Sequence, residues 1–212
     1  PTGYDMDRWT LGWSRPITPI AQRGAFVLRV NYHGSGNYPL EWVESIGGGN
    51  YYDLEVPDIE AGVDYLIDGG LVDGDRMGKM GWSAGGHMTN KIITHTDRFK
   101  AASSGAGAVN WISMYAQSDV RIYRTPWFGG TPWDEDSPID QYMADSPLYD
   151  VHRVTTPTLV LVGENDNRVP MPQSVELYRA LKHNGVPTHL YVAPNQGHGW
   201  RELQQRLFKA NV

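Results

Sequence analysis

Met77-Gly78-Lys79-Met80-Gly81-Trp82-Ser83-Ala84-Gly85-Gly86-His87-Met88 changes character in its middle. Up to Trp82 it reads as a short strand, and from Ala84 onward as the first turns of a helix. Ser83 sits at the change of direction, in the pattern Gly-x-Ser-x-Gly. A serine on a strained strand-to-helix turn has its hydroxyl exposed, and glycines flank it because only residues without a side chain let the backbone pass so closely. Helix N-terminal amides point at the same spot, so the N–H of Ala84 is placed to donate to negative charge developing on a substrate oxygen. Taken alone, the motif equally describes a Gly-rich turn before a helix.

Working outward, short apolar segments followed by turn residues and helical patterns recur along the chain. The strand candidates are 25–32, 77–82, 101–108, 158–163 and 189–193. Between them, 55–67 carries Val56, Ile59, Val63 and Leu66 close to the spacing of a buried helical stripe, and 172–184 repeats the idea with Val175, Tyr178 and Leu181. Alternating strands and helices imply an α/β fold, a mostly parallel sheet with helices on both faces. Residues 110–147, rich in Trp, Tyr, Pro and Asp, break the rhythm and read as an excursion of loops and short helices that shapes a pocket.

A serine hydroxyl needs a base to remove its proton, and the imidazole that does so needs a carboxylate to hold its tautomer. Asp166 directly follows the strand candidate 158–163, and His198 follows 189–193, so both fall at strand C-terminal ends, where open α/β sheets bind ligands. The order Ser83, Asp166, His198 makes these three the candidate catalytic residues. His33, His95, His152, His183 and His189 lie at element ends or surfaces. His87 falls on the helix after Ser83 as a core histidine, and Glu164, still in the strand exit, reads as structural.

With 212 residues the chain has the length of one domain, 1–212. Its 18 basic and 24 acidic residues, interspersed to a net charge of −6, give no reason to expect nucleic acid or membrane as partners. The absence of cysteine excludes disulfides, thiolate metal sites and a Cys nucleophile, and removes any indication of compartment. Pro1-Thr2-Gly3-Tyr4-Asp5 is neither a signal peptide nor an initiator methionine, so the true N-terminus is expected elsewhere.

Several blocks in order resemble the catalytic domain of the prolyl oligopeptidase family of serine peptidases: Val30-Asn31-Tyr32-His33-Gly34-Ser35-Gly36, residues 58–66, Val72-Asp73-Gly74-Asp75-Arg76 leading into the Ser83 turn, Ser146-Pro147-Leu148, and the Asp166 and His198 loops. The resemblance implies an α/β-hydrolase fold and hydrolysis of short peptides or acyl-peptides through an acyl-enzyme, with no cofactor and no metal. It also implies an N-terminal β-propeller elsewhere in the same protein. By matching motif, Arg168 is where some relatives bind a substrate carbonyl, although a surface salt bridge explains an arginine there equally well. Val169, Trp111 and Tyr115 match the region lining the pocket for the residue before the scissile bond, with ordinary packing as the alternative. Two features depart from the family. Lys79 occupies a usually apolar strand position and must snorkel or find a partner. The His-Gly-Gly-Pro segment that supplies the second oxyanion donor is missing, with Pro1 its possible last residue. A carboxylesterase using the same triad, or an inactive fragment or binding module lacking half its oxyanion hole, therefore remain as alternatives. The implied topology also places an absent strand between 25–32 and 77–82.

Overall fold

A computed structural model describes residues 17–199 of the chain. Its centre is a parallel sheet of four strands in sequence order: β1 (Gly78–Trp82), β2 (Ala101–Gly105), β3 (Thr158–Gly163) and β4 (Thr188–Ala193). The helices in chain order are α1 (Ile17–Gln22), α2 (Leu40–Glu44), α3 (Glu55–Asp68), α4 (Ala84–His95), α5 (Trp111–Gln117), α6 (Thr125–Phe128), α7 (Ile139–Ala144), α8 (Pro147–Asp150) and α9 (Met171–His183).

Right-handed crossovers between strands laid down in order put α4 and α9 on one face. Met88, Ile92 and Ile93 of α4 and Leu177 and Leu181 of α9 accordingly share one core with Val160 of β3. Strand alternation sends Leu161 and Ala193 to the opposite face, where Trp82, Leu159 and Tyr191 pack on them. The expected stripe of α3 is present, with Val56, Ile59 and Val63 buried, and α9 ends where Gly185 takes φ +75°. The excursion is built from α5, a 3₁₀ turn at Arg121–Arg124, α6 and α7. Its residues Trp111, Phe128 and Tyr142 are fully buried and extend the same core with a cluster of aromatic rings.

Two strand expectations need correction. Residues 25–32 form no strand, although Leu28 and Val30 lie against Gly62 of α3 at the distances of side-chain packing. A strand exists only when its backbone is paired, and among the described residues β1 pairs with β2 alone, so no ladder reaches 25–32. Direct pairing of 25–32 with β1 is likewise absent among them. Second, β2 stops at Gly105 rather than 108. Ala106 turns at φ +44° while its N–H still reaches Leu161 O, and the next amides leave the sheet direction, with Ala108 N donating to His87 Nδ1. Lys79 is half-buried, and its ammonium donates to the carbonyl of its neighbour Met80 at 3.3 Å.

Candidate active site

Ser83 stands between β1 and α4 with φ 59° and ψ −119°, a conformation that side chains rarely adopt. The turn is tied from both sides, since Ser83 N donates to Gly105 O and Ser83 O accepts from His87 N, both at 2.9 Å. The glycines divide the work differently from the motif reading. A Cβ at Gly81 would stand 2.1 Å from Gly85 O, and one at Gly86 would stand 2.3 Å from Gly105 O, whereas one at Gly85 would meet nothing within 4 Å. Crossing of the chain over itself and close packing of α4 on β2 thus require Gly81 and Gly86. Gly85 contributes a backbone that passes close.

The loops after β3 and β4 bring the other two residues to the serine. His198 Nε2 lies 2.9 Å from Ser83 Oγ, and His198 Nδ1 lies 2.8 Å from Asp166 Oδ2. Asp166 is buried, and its Oδ1 accepts the N–H groups of Arg168 and Val169, each at 2.9 Å. A carboxylate fixed by two amides presents its remaining oxygen in one direction, which selects the imidazole tautomer with the proton on Nδ1 and leaves Nε2 to accept from the serine hydroxyl. Trp82 Nε1 donates to His198 O at 3.1 Å, so the residue before Ser83 also anchors the His198 loop. Glu164 accepts from Asn195 N at 2.8 Å and ties the two loops together. Ala84 opens α4, and its N–H is among the first-turn amides that have no partner inside a helix.

Arg168 meets Asp119: Nε to Oδ1 is 2.8 Å and Nη2 to Oδ2 is 3.4 Å, with both side chains about half exposed. The same turn grips the acid loop through Ser118 Oγ to Arg168 O at 2.7 Å and Asp119 N to Asn167 O at 3.0 Å. Ser118 and Asp119 had no signal in the sequence, because the contact joins residues 49 apart. Val169, Trp111 and Tyr115 are all buried. Trp111 packs in the aromatic core, and Tyr115 holds Thr125 Oγ1 at 3.0 Å and meets Trp133 and Tyr142 edge-on. Of the remaining histidines, His33 sits 2.7 Å from Asp58 and stacks on Trp42, and His95 lies 3.8 Å from Glu60. Among the described residues no group of three or more His, Cys, Asp or Glu side chains is arranged to hold a metal. No helix among them is long and apolar enough to cross a membrane. A shallow depression at the N-terminal ends of β2 to β4, between Ala101, Pro157, Lys182 and His189, lies at the far end of the strands from the triad.

A parallel α/β sheet with serine, histidine and aspartate aligned at its C-terminal end defines the class as an α/β-hydrolase of the serine type. The comparisons narrow this. Residues 11–210 match the model of the prolyl oligopeptidase family, and the chain belongs to that family of serine peptidases. It is 37% identical over 91% of its length to the uncharacterized peptidase YuxL of Bacillus subtilis, and 31% identical over 94% to dipeptidyl-peptidase 5 of Porphyromonas gingivalis. In each case it spans 29% of the relative's length. Among solved structures, a puromycin-hydrolyzing peptidase of Mycobacterium tuberculosis superposes with a TM-score of 0.86 at 32% identity, covering 92% of this chain and 30% of that one. An acylaminoacyl peptidase in complex with Z-Gly-Gly-Phe-chloromethyl ketone gives 0.75 at 30% identity, covering 85% and 29%.

Proposed function

We propose that this chain is the catalytic part of a peptidase that cleaves short peptides or acyl-peptides through an acyl-enzyme on Ser83. The observation that carries the reading is the unbroken file from Ser83 Oγ through His198 to Asp166, held by two backbone amides at its far end. Ser83 Oγ attacks the scissile carbonyl carbon while His198 Nε2 takes its proton. The carbonyl oxygen becomes an oxyanion facing the N–H of Ala84. Collapse breaks the C–N bond, and the proton on His198 passes to the leaving amine. Water then repeats the sequence on the ester and frees Ser83. Asp166 orients the imidazole and stabilises its charged form. Arg168, aimed by Asp119, takes a substrate carbonyl, and Val169, Trp111 and Tyr115 back the pocket for the residue before the scissile bond.

The peptidase relatives are a little over three times as long as this chain, consistent with further segments in the same protein. On this reading, a strand of the same protein lies between β1 and residues 25–32 and brings the second oxyanion donor, and a β-propeller screens the site.

The test is fluorophosphonate labelling of the full-length protein, since the reagent modifies only an activated serine. Labelling is expected at Ser83 alone and is lost in Ser83→Ala together with peptide hydrolysis. Modification of a different serine, or undiminished labelling of Ser83→Ala, refutes the assignment.

A further inference from the structure

Arg124 carries a charge that the triad does not use. It ends the 3₁₀ turn of the excursion, is 7% exposed, and has no carboxylate within 4 Å among the described residues. A buried guanidinium without an anion is costly. Its faces are covered: it lies 4.7 Å over the ring of Trp111 and 5.1 Å over that of Trp127, and Tyr51 brings a hydroxyl to it. Its N–H edge is less well served. Nε has no acceptor, and Nη2 faces His87 Nε2 at 3.4 Å.

Which proton His87 carries decides what that last contact is. Ala108 N donates to His87 Nδ1 at 2.6 Å, and a backbone amide can only donate, so the neutral imidazole holds its proton on Nε2. Burial, with Arg124 adding to it, pushes His87 well below the usual histidine range and keeps it neutral. Arg124 and His87 therefore meet donor against donor. Trp111, 1% exposed and 5.1 Å from the His87 ring, adds an indole N–H that also lacks an acceptor. Three buried side chains in mutual contact thus hold one positive charge and, beyond what the Tyr51 hydroxyl receives, N–H donors on Arg124 Nε, His87 Nε2 and Trp111 Nε1 that meet no oxygen among the described residues.

We propose that Arg124, His87 and Trp111 form a carboxylate-binding site, and that the carboxylate is carried on the substrate residue whose acyl group joins Ser83. One negative charge with two oxygens matches one guanidinium and two neutral donors, whereas a neutral carbonyl would leave the charge unpaired and a dianion would overshoot it. The site adjoins the reaction: His87 lies one helical turn beyond Ser83, its main-chain N–H bonding the Ser83 carbonyl, and its ring is near enough to His198 for a charge there to act on it. The substrate part of the inference rests on the peptidase function proposed above.

The experiment uses the full-length enzyme and paired peptide substrates that differ only in Glu against Gln at the residue before the cleaved bond. Its second arm is acetate, titrated at constant ionic strength against a bulky sulfonate, with thermal midpoint and inhibition as readouts. The expected result is a Glu preference in kcat/KM of about tenfold or more that collapses towards unity in Arg124→Met and is partly kept in Arg124→Lys. A ratio near one, with acetate stabilising the wild type but not Arg124→Met, would assign the site to a free anion and overturn its role in substrate choice. Neither effect, in a protein whose Ser83 still takes the fluorophosphonate, overturns the site and leaves the peptidase reading intact. Loss of labelling at Ser83 would instead remove the peptidase reading. Should Arg124→Met fail to fold, the wild-type Glu preference and its competition by acetate decide.

Discussion

Ser83 pairs a strained backbone with a side chain in ideal hydrogen-bond reach of His198, and Asp166 is held more firmly than either, by two amides and burial. Changing Asp166 to Asn keeps the shape but offers an N–H where an oxygen must accept, which favours the wrong imidazole tautomer. Turnover by Asp166→Asn is expected to fall by about 10⁴. A loss under tenfold in steady-state assays would show that Asp166 does not orient the base. On the proposed function, Asp119 is a positioning residue for Arg168. An exposed pair of this kind contributes at most about 1 kcal/mol to stability, so its significance is the direction it gives the guanidinium. Asp119→Ala is expected to raise KM for peptides several-fold with kcat little changed, to leave small aryl esters less affected, and to be partly rescued by Asp119→Glu. Equal effects on both substrate types would return the pair to a surface role.

The elements around the site explain which glycines matter. Gly86→Ala must push α4 away from Gly105, and overpacking of that order costs about 1 to 3 kcal/mol. Gly85→Ala meets open space in a helical turn, and replacing a helical glycine contributes up to about 1 kcal/mol in the favourable direction. Thermal unfolding should therefore separate the two, with Gly86→Ala lowered and Gly85→Ala unchanged or raised; equal losses would contradict the packing described. At the start of α3, Glu55 is fully buried, and burial raises its carboxyl from 4.5 to about 7. The folded state then holds a proton that the unfolded chain has already released, so stability falls as pH rises from about 4.5 to about 7 and levels off above. Glu55→Gln should flatten that fall and add up to about 3 kcal/mol at pH 8, read from urea unfolding at pH 5 and pH 8. An unchanged difference between the two pH values would show that Glu55 is not its source.

At the scale of the molecule, the edge of β1 that no described strand pairs with is the feature that bears on function. Among the described residues no strand pairs with that edge, and Gly78 and Met80 of β1 are exposed. Phe26 and Leu28 are exposed on the segment that would flank the other side of such a strand. Hydrogen exchange is expected to be fast at the outward amides of β1 in residues 1–212 expressed alone and slow in the full-length protein, and the isolated chain is expected to be inactive. Full peptidase activity from residues 1–212 would overturn this.

The strand-to-helix turn at Ser83 and the loops that carry Asp166 and His198 were legible in the sequence because each is a local event: a strand must end, a chain must turn, and the residue types that permit it are adjacent. That 110–147 holds loops and short helices rather than a strand was legible as a change in composition. Whether 25–32 is a strand was not, because a strand is defined by a neighbour that local residues do not supply. Nor were Asp119 against Arg168, Trp82 beneath His198, or Arg124 against His87 and Trp111, whose partners lie 49, 116, 37 and 13 residues apart. Local chemistry set the turn at Ser83 and the loops of Asp166 and His198, and only the folding of distant segments onto one another decided what surrounds and aims them.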